Sequence, residues 1–170
     1  MTICLITPAP AGSRHGNRWT AVRWARMLRE LGHRVVIEEE YKGRRCDALV
    51  ALHARRSFPS IERYRRERPE APLIVALTGT DLYRDIRTNP QAQRSLAMAS
   101  RLVVLQPLGV RELPPRLRSR ARVIIQSAER PGGVASPRKD VFAVCVTGHL
   151  RPVKDPFRAA QAARLLPGAS

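Results

Sequence analysis

Acidic residues are scarce in this sequence: 14 Asp and Glu stand against 31 Lys and Arg, a formal charge of +17 over 170 residues. Lysine is scarce too, found only at Lys42, Lys139 and Lys154, so the excess is arginine spread from Arg14 to Arg164. A charge of that size attracts polyanions, but only 5% of the residues are aromatic and no Cys/His finger or aromatic-rich RNA-binding signature occurs. Stacking and base readout therefore lack their usual side chains, and no nucleic-acid partner is expected. The charge instead favours small phosphorylated ligands. Cys4, Cys46 and Cys145 are odd in number, widely spaced and set in or beside apolar runs, which argues against a disulfide framework or a zinc site and predicts buried thiols. No acidic cluster suited to a metal is seen. Apolar runs never approach the roughly eighteen residues of a membrane span, and the first residues lack a secretory leader's basic and apolar regions. A cytoplasmic protein with no membrane partner is expected.

The chain does have hydrophobic residues enough, 44%, for one domain of ordinary size and the opening of another. Val/Ile/Leu runs predict strands at Ile3 to Thr7, Arg34 to Glu39, Ala48 to Leu52, Leu73 to Leu77, Leu102 to Leu105 and Val123 to Ile125. Helices are expected between them, at Asn17 to Leu31, Ser57 to Glu67, Asn89 to Ala99 and Pro107 to Leu117. The first should bury Trp19, Val22, Ala25, Met27, Leu28 and Leu31 and end at Gly32. That alternation is the pattern of an α/β protein with a Rossmann-like parallel sheet flanked by helices. Pro, Gly and Ser mark residues 129–140 as a linker between a first domain, 1–128, and the start of a second, 141–170. The second opens with a strand at Val141 to Val146, a glycine turn and a helix from Pro156 to Leu166, and reads as incomplete.

Four stretches at strand ends can carry chemistry, because open parallel sheets bind ligands beyond the carboxyl ends of their strands. The loop after the first strand includes Gly12, Ser13, Arg14, Gly16, Asn17 and Arg18. It can offer an anion backbone N–H groups, a helix N-terminus and two guanidinium groups, or be a surface loop in which Asn17 caps the helix. His53, Arg55 and Arg56 end the third strand beside Ser57, a candidate helix cap. Thr78, Gly79, Thr80 and Asp81 end the fourth. Asp81 can accept a hydroxyl or act as a base there, or simply cap the next turn. The most informative stretch is Gly148-His149-Leu150-Arg151-Pro152-Val153-Lys154. A cation at a helix start opposes the helix dipole, so Lys154 and Arg151 make more sense with an anion present, such as a diphosphate, than as a plain basic helix start, which is the alternative.

Gly148-His149-Leu150 followed by Lys154 resembles the Gly-Arg-Leu-x-x-x-Lys-Gly donor motif of the family 4 GT-B glycosyltransferases, with His149 for Arg and Asp155 for Gly. Thr78-Gly79-Thr80-Asp81 is similar to their His-Gly-x-Asp loop. Within that group the chain resembles the selenosugar synthases of selenoneine biosynthesis, through Thr7-Pro8-Ala9-Pro10 with Gly12-Ser13-Arg14 and Gly16-Asn17-Arg18, and through Leu49 to Ser57, Ala76 to Asp85 and Gly148 to Arg158. The resemblance implies the N-terminal half of a GT-B fold and the first βα unit of its second domain. It also implies transfer of a sugar from a UDP-sugar, UDP-N-acetylglucosamine or UDP-glucose, to selenophosphate, with no metal and no cofactor beyond the donor itself. A pathway partner would take up the selenosugar. Lys154, with Arg151 or His149, would stabilise the departing diphosphate, residues 12–18 and 53–56 would hold selenophosphate or the sugar phosphate, and Asp81 would orient sugar hydroxyls. An ordinary family 4 glycosyltransferase with a carbohydrate or lipid acceptor, a non-catalytic basic binding module and an inactive fragment are the alternatives.

Overall fold

The computed structural model describes residues 1–129, 132–133, 136, 140–141, 143–148, 150 and 152–166. The chain divides into two units, Met1–Ala128 and Glu129–Ser170. In the first, six parallel strands form one sheet: β1 (Thr2–Ile6), β2 (Arg34–Glu38), β3 (Ala48–Leu52), β4 (Leu73–Leu77), β5 (Arg101–Val104) and β6 (Ala121–Val123), in the order β2-β1-β3-β4-β5-β6. The first unit is thus α/β and Rossmann-like. Register pairs Ile3 with Val35 on one side and with Ala48 on the other, so β1 is an inner strand. Strand composition follows position. All five residues of β3 are buried, as an inner parallel strand covered on both faces requires, whereas β6 at the edge has none buried.

One face is covered by α1 (Gly16–Glu30), whose Ala21 and Ala25, with Trp24 and Leu28 beside them, pack on Ile3, Leu5, Val35, Val50 and Leu52. The other is covered by α2 (Phe58–Glu67) and, further along the chain, α4 (Pro90–Met98), through Ile61, Tyr64 and Leu96 over Ile6, Leu49, Val75 and Leu102. The face expected for α1 is corrected here: Trp19 and Leu31 are 66% and 73% exposed, and Val22 is exposed as well. Small Thr20, Ala21 and Ala25 point inward instead and let the helix backbone lie close to the sheet. The end of α1 was legible. Gly32 has φ +83°, donates to the Arg29 carbonyl, and His33 N–H reaches the Leu28 carbonyl, a Schellman closure. Beyond β6, Gln126 Nε2 donates to Thr20 Oγ1 at 2.8 Å and Arg23 Nε to Ser127 Oγ at 2.9 Å, fastening the strand exit to α1.

Between β4 and β5 the chain makes a π-helical turn (Asp81–Asp85), a single turn α3 (Ile86–Thr88) and α4, which Asn89 caps through Ala92 N–H at 3.0 Å, with Pro90 at the first helical position. The single helix expected from Pro107 to Leu117 is two short elements, α5 (Gly109–Glu112) and a 3₁₀ helix (Pro115–Arg120). Pro114 and Pro115 explain the break, since proline bars the residue before it from the α region and lacks an N–H.

Some of the arginine excess serves the fold. Arg65 on α2 donates to the carbonyls of Pro69, Ala71 and Met98 and to Ser100 Oγ, tying the loops that enter β4 and β5. Cys4 and Cys46 are buried against each other on the α2 side of the sheet, as expected, but Cys145 is exposed. The hydrogen bond from Cys4 lowers Cys46 to about 7, while the same contact, burial and nearby Glu38 push Cys4 well up.

The second unit departs from expectation. The described residues of 141–146 form no strand, since a parallel strand needs a neighbour to take its N–H and C=O groups and the described residues of this unit supply none. Its helix, α6 (Arg158–Ala163), is shorter than Pro156 to Leu166 and has no buried residue. Among the described residues no helix is long and apolar enough to cross a membrane.

Candidate functional site

The strand order places a switch point between β1 and β3. From β1 the chain crosses to β2 on one side, and from β2 it returns to β3 on the other, so the loops after β1 and β3 part at the carboxyl edge of the sheet. Such a parting is where open α/β sheets form their ligand crevice. The stretches 12–18 and 53–56 are the two sides of it, and Thr78–Asp81 follows at the next strand.

On the β1 side, Ser13 N–H closes a turn on the Pro10 carbonyl, Gly12 sits at φ +77°, and Ala11 N–H is anchored by Glu39 Oε1 at 3.2 Å. Helix α1 then starts without help from any side chain. His15 occupies the cap position and accepts no capping bond with its ring, and Asn17, the cap in the alternative surface-loop reading, lies inside the helix. The Gly16 and Asn17 N–H groups therefore carry the positive end of a four-turn dipole with no capping acceptor. Two buried hydroxyls nearby in sequence, Thr7 Oγ1 and Ser13 Oγ, also have no hydrogen-bond partner among the described residues. Arg14 is exposed and Arg18 half-buried, and neither has an ion-pair partner among the described residues.

On the β3 side, His53 is 6% exposed and holds φ +72°, a conformation rare for a residue with a Cβ. Its N–H donates to the Ala76 carbonyl at 2.8 Å, and its Nδ1 accepts from Arg56 N–H at 3.3 Å. Nδ1 is an acceptor in that geometry, so the neutral ring carries its proton on Nε2. Burial lowers the His53 pKa from the ordinary 6.5, and Asp81, with Nδ1 to Oδ2 at 3.9 Å, opposes that shift in part. Ser57 does not cap α2 with its side chain; its Oγ donates back to the Leu52 carbonyl at 2.7 Å and tightens the turn. Arg56 is exposed and free of ion pairs among the described residues.

Asp81 has a different place from the one the sequence suggested. Its side chain is wholly buried; Oδ1 accepts from Thr78 N–H at 3.0 Å and Gly79 N–H at 2.9 Å, and Oδ2 from Ala54 N–H at 2.9 Å. One carboxylate thereby locks the β3 and β4 loops together, and no face of it is open to a sugar hydroxyl. Gly79 makes the arrangement possible: at φ +144° a side chain would strain the backbone that turns its N–H inward. Thr80 is exposed at the lip.

Of the donor-side residues, His149 and Arg151 lie outside the described residues. Lys154 is exposed in a 3₁₀ turn (Pro152–Lys154), followed by Asp155 at φ +44°, ion-paired with Arg158. Gly148 is exposed. The helix start expected to frame Lys154 is displaced to Arg158, and a six-residue helix contributes little dipole there.

The sequence did not single out Asp85, Arg84 or Tyr83. Asp85 is buried and accepts from Arg84 and Arg55, while Tyr83 is 48% exposed and its hydroxyl accepts from Gln106 Nε2 at 2.8 Å. The i, i+4 spacing of Asp81 and Asp85 was the available signal. Among the described residues no group of three or more His, Cys, Asp or Glu could hold a metal.

These features define a Rossmann-like α/β unit with a cationic, donor-rich carboxyl edge. Comparison with protein-family models and with curated proteins finds no match to this chain.

Proposed function

We propose that the chain is the acceptor-side part of a glycosyltransferase that moves a sugar from a UDP-sugar to selenophosphate. The observation that carries it is the start of α1 at the switch point. Backbone donors without a side-chain capping acceptor, a Ser13 hydroxyl with no hydrogen-bond partner among the described residues and the cations Arg14, Arg18 and Arg56, which have no ion pair among them, together fit a small tetrahedral oxyanion. The selenium end of selenophosphate would attack the anomeric carbon. A carbon–selenium bond forms, the bond from that carbon to the diphosphate oxygen breaks, and UDP leaves with the electron pair. Lys154, by its resemblance to the donor motif, with Arg151 and His149, neutralises the diphosphate as it departs. Selenium is nucleophilic without a base, which agrees with a buried, fully engaged Asp81.

Incubation of a form of the chain that carries a complete nucleotide-sugar-binding unit, beside the 170-residue chain itself, with selenophosphate and either UDP-N-acetylglucosamine or UDP-glucose, followed by mass spectrometry, tests this proposal. A selenium-bearing sugar is the expected product. UDP release with no selenium in the product would move the activity to an ordinary glycosyltransferase. Salt-steep DNA binding indifferent to nucleotide sugar would make the chain a binding module.

A further inference from the structure

The carboxyl edge holds a second buried carboxylate with no part in the account above. Asp85 closes the π-helical turn; its side chain is 4% exposed, and a carboxylate so placed is costly unless paired. Its Oδ1 accepts from two guanidinium groups, Arg84 Nε at 3.0 Å and Arg55 Nη1 at 3.5 Å. The two arginines come from different loops, Arg55 after β3 and Arg84 after β4, and are 44% and 66% exposed. Two cations repel each other, and long exposed side chains otherwise spread over many rotamers. A shared buried anion overcomes both effects and leaves each guanidinium most of its five N–H donors. The backbone under them is equally fixed, because Asp81 joins the same two loops.

We propose that Asp85 is a positioning residue: it gathers Arg55 and Arg84 into a paired-guanidinium clamp that, with Arg56, takes the oxyanion of the acceptor. The proposal rests on the anion site described above and adds Arg84 and Asp85 to it. The clamp favours a group with several anionic oxygens over a single carboxylate, since a carboxylate has two oxygens to share between two forks and a tetrahedral oxyanion has more.

The sign of one substitution separates positioning from plain electrostatics. Asp85→Asn removes a negative charge from a cationic rim, so Coulomb attraction alone tightens anion binding, most at low salt. Loss of the clamp weakens it. Titration of the 170-residue chain with inorganic phosphate at low ionic strength, followed by amide and arginine Nε–H resonances, reads both. The expected result is binding weakened about tenfold in Asp85→Asn, the scale of a lost charged hydrogen bond, with the Arg84 Nε–H signal, whose proton is donated to Asp85, moving to the position of free arginine. Unchanged or tighter phosphate binding overturns the clamp. Should Asp85→Asn unfold, Arg84→Lys keeps the charge and removes only the fork, and it must weaken phosphate several-fold or the clamp fails. Weakening in Arg14→Ala but in neither clamp variant overturns the clamp and leaves the anion site standing. A wild-type chain that does not bind phosphate removes both.

Discussion

Replacing Asp81 by Asn tests whether one buried carboxylate joins the β3 and β4 loops. Three backbone N–H groups converge on it, from Thr78, Gly79 and Ala54, at 3.0, 2.9 and 2.9 Å. Hydrogen bonds to a charged group contribute about 1.5–3 kcal/mol each, against about 0.5–1.5 for neutral pairs. The amide oxygen of Asn can keep the Thr78 and Gly79 bonds, weakened to neutral strength. Its NH₂ then faces the Ala54 N–H, donor against donor, and an unsatisfied buried donor costs about 1–3 kcal/mol. Turning the amide over strands two donors instead of one. The net expectation is a loss of about 2–4 kcal/mol, and more for Asp81→Ala, which leaves all three N–H groups without a partner. Urea unfolding reads it: with a slope of about 2 kcal/mol per molar, the midpoint falls by about 1–2 M with the slope unchanged. A loss under about 0.5 kcal/mol would refute the bracket and return Asp81 to the solvent-facing role read from the sequence.

Arg65→Lys keeps the charge but cannot span the carbonyls of Pro69, Ala71 and Met98, so thermal unfolding should show it nearly as destabilised as Arg65→Met, by about 1–3 kcal/mol. His53 is held neutral by burial, so its contribution is fully present above its ordinary pKa of 6.5 and is lost as pH falls from there toward the lowered folded value. Urea midpoints of wild type and His53→Gln should accordingly converge as the pH falls below 6.5, and parallel curves would contradict a buried neutral imidazole. Alkylation with iodoacetamide at neutral pH should label exposed Cys145 at once. Cys46, although lowered to about 7, should react only as fast as the fold opens, because access and not thiolate fraction limits it.

The sheet was legible because parallel strands buried on both faces are written as continuous apolar runs. β3, Ala-Leu-Val-Ala-Leu, and β4, Leu-Ile-Val-Ala-Leu, were placed to the residue. The inner face of α1 was not, because its burial is done by small residues. Trp19, Val22 and Leu31 outweigh Ala21 and Ala25 on any hydrophobicity count, yet the alanines set the distance to the sheet. At the other end of the chain, the run Val141 to Val146 has strand composition and forms none in its described residues, for composition supplies side chains but not the neighbouring strand that must take the backbone's hydrogen bonds.

The edge of the sheet shows the same division. Loops after β1, β3 and β4 could be chosen from the sequence because ligand loops follow strand carboxyl ends, and their residue types are those of anion sites. Which side chains face a ligand and which hold the loops depends on burial, and a four-residue spacing does not state it. Asp81 and Asp85 are the same residue type on one turn, both turned inward, one accepting from backbone N–H groups and the other from guanidinium groups. Their division of labour explains how an edge so rich in arginine stays ordered. The acids are few, but two of them are buried at this edge, where the lower dielectric strengthens their hold, Asp81 on the backbone of two loops and Asp85 on Arg55 and Arg84, while Arg14, Arg18 and Arg56 have no ion-pair partner among the described residues.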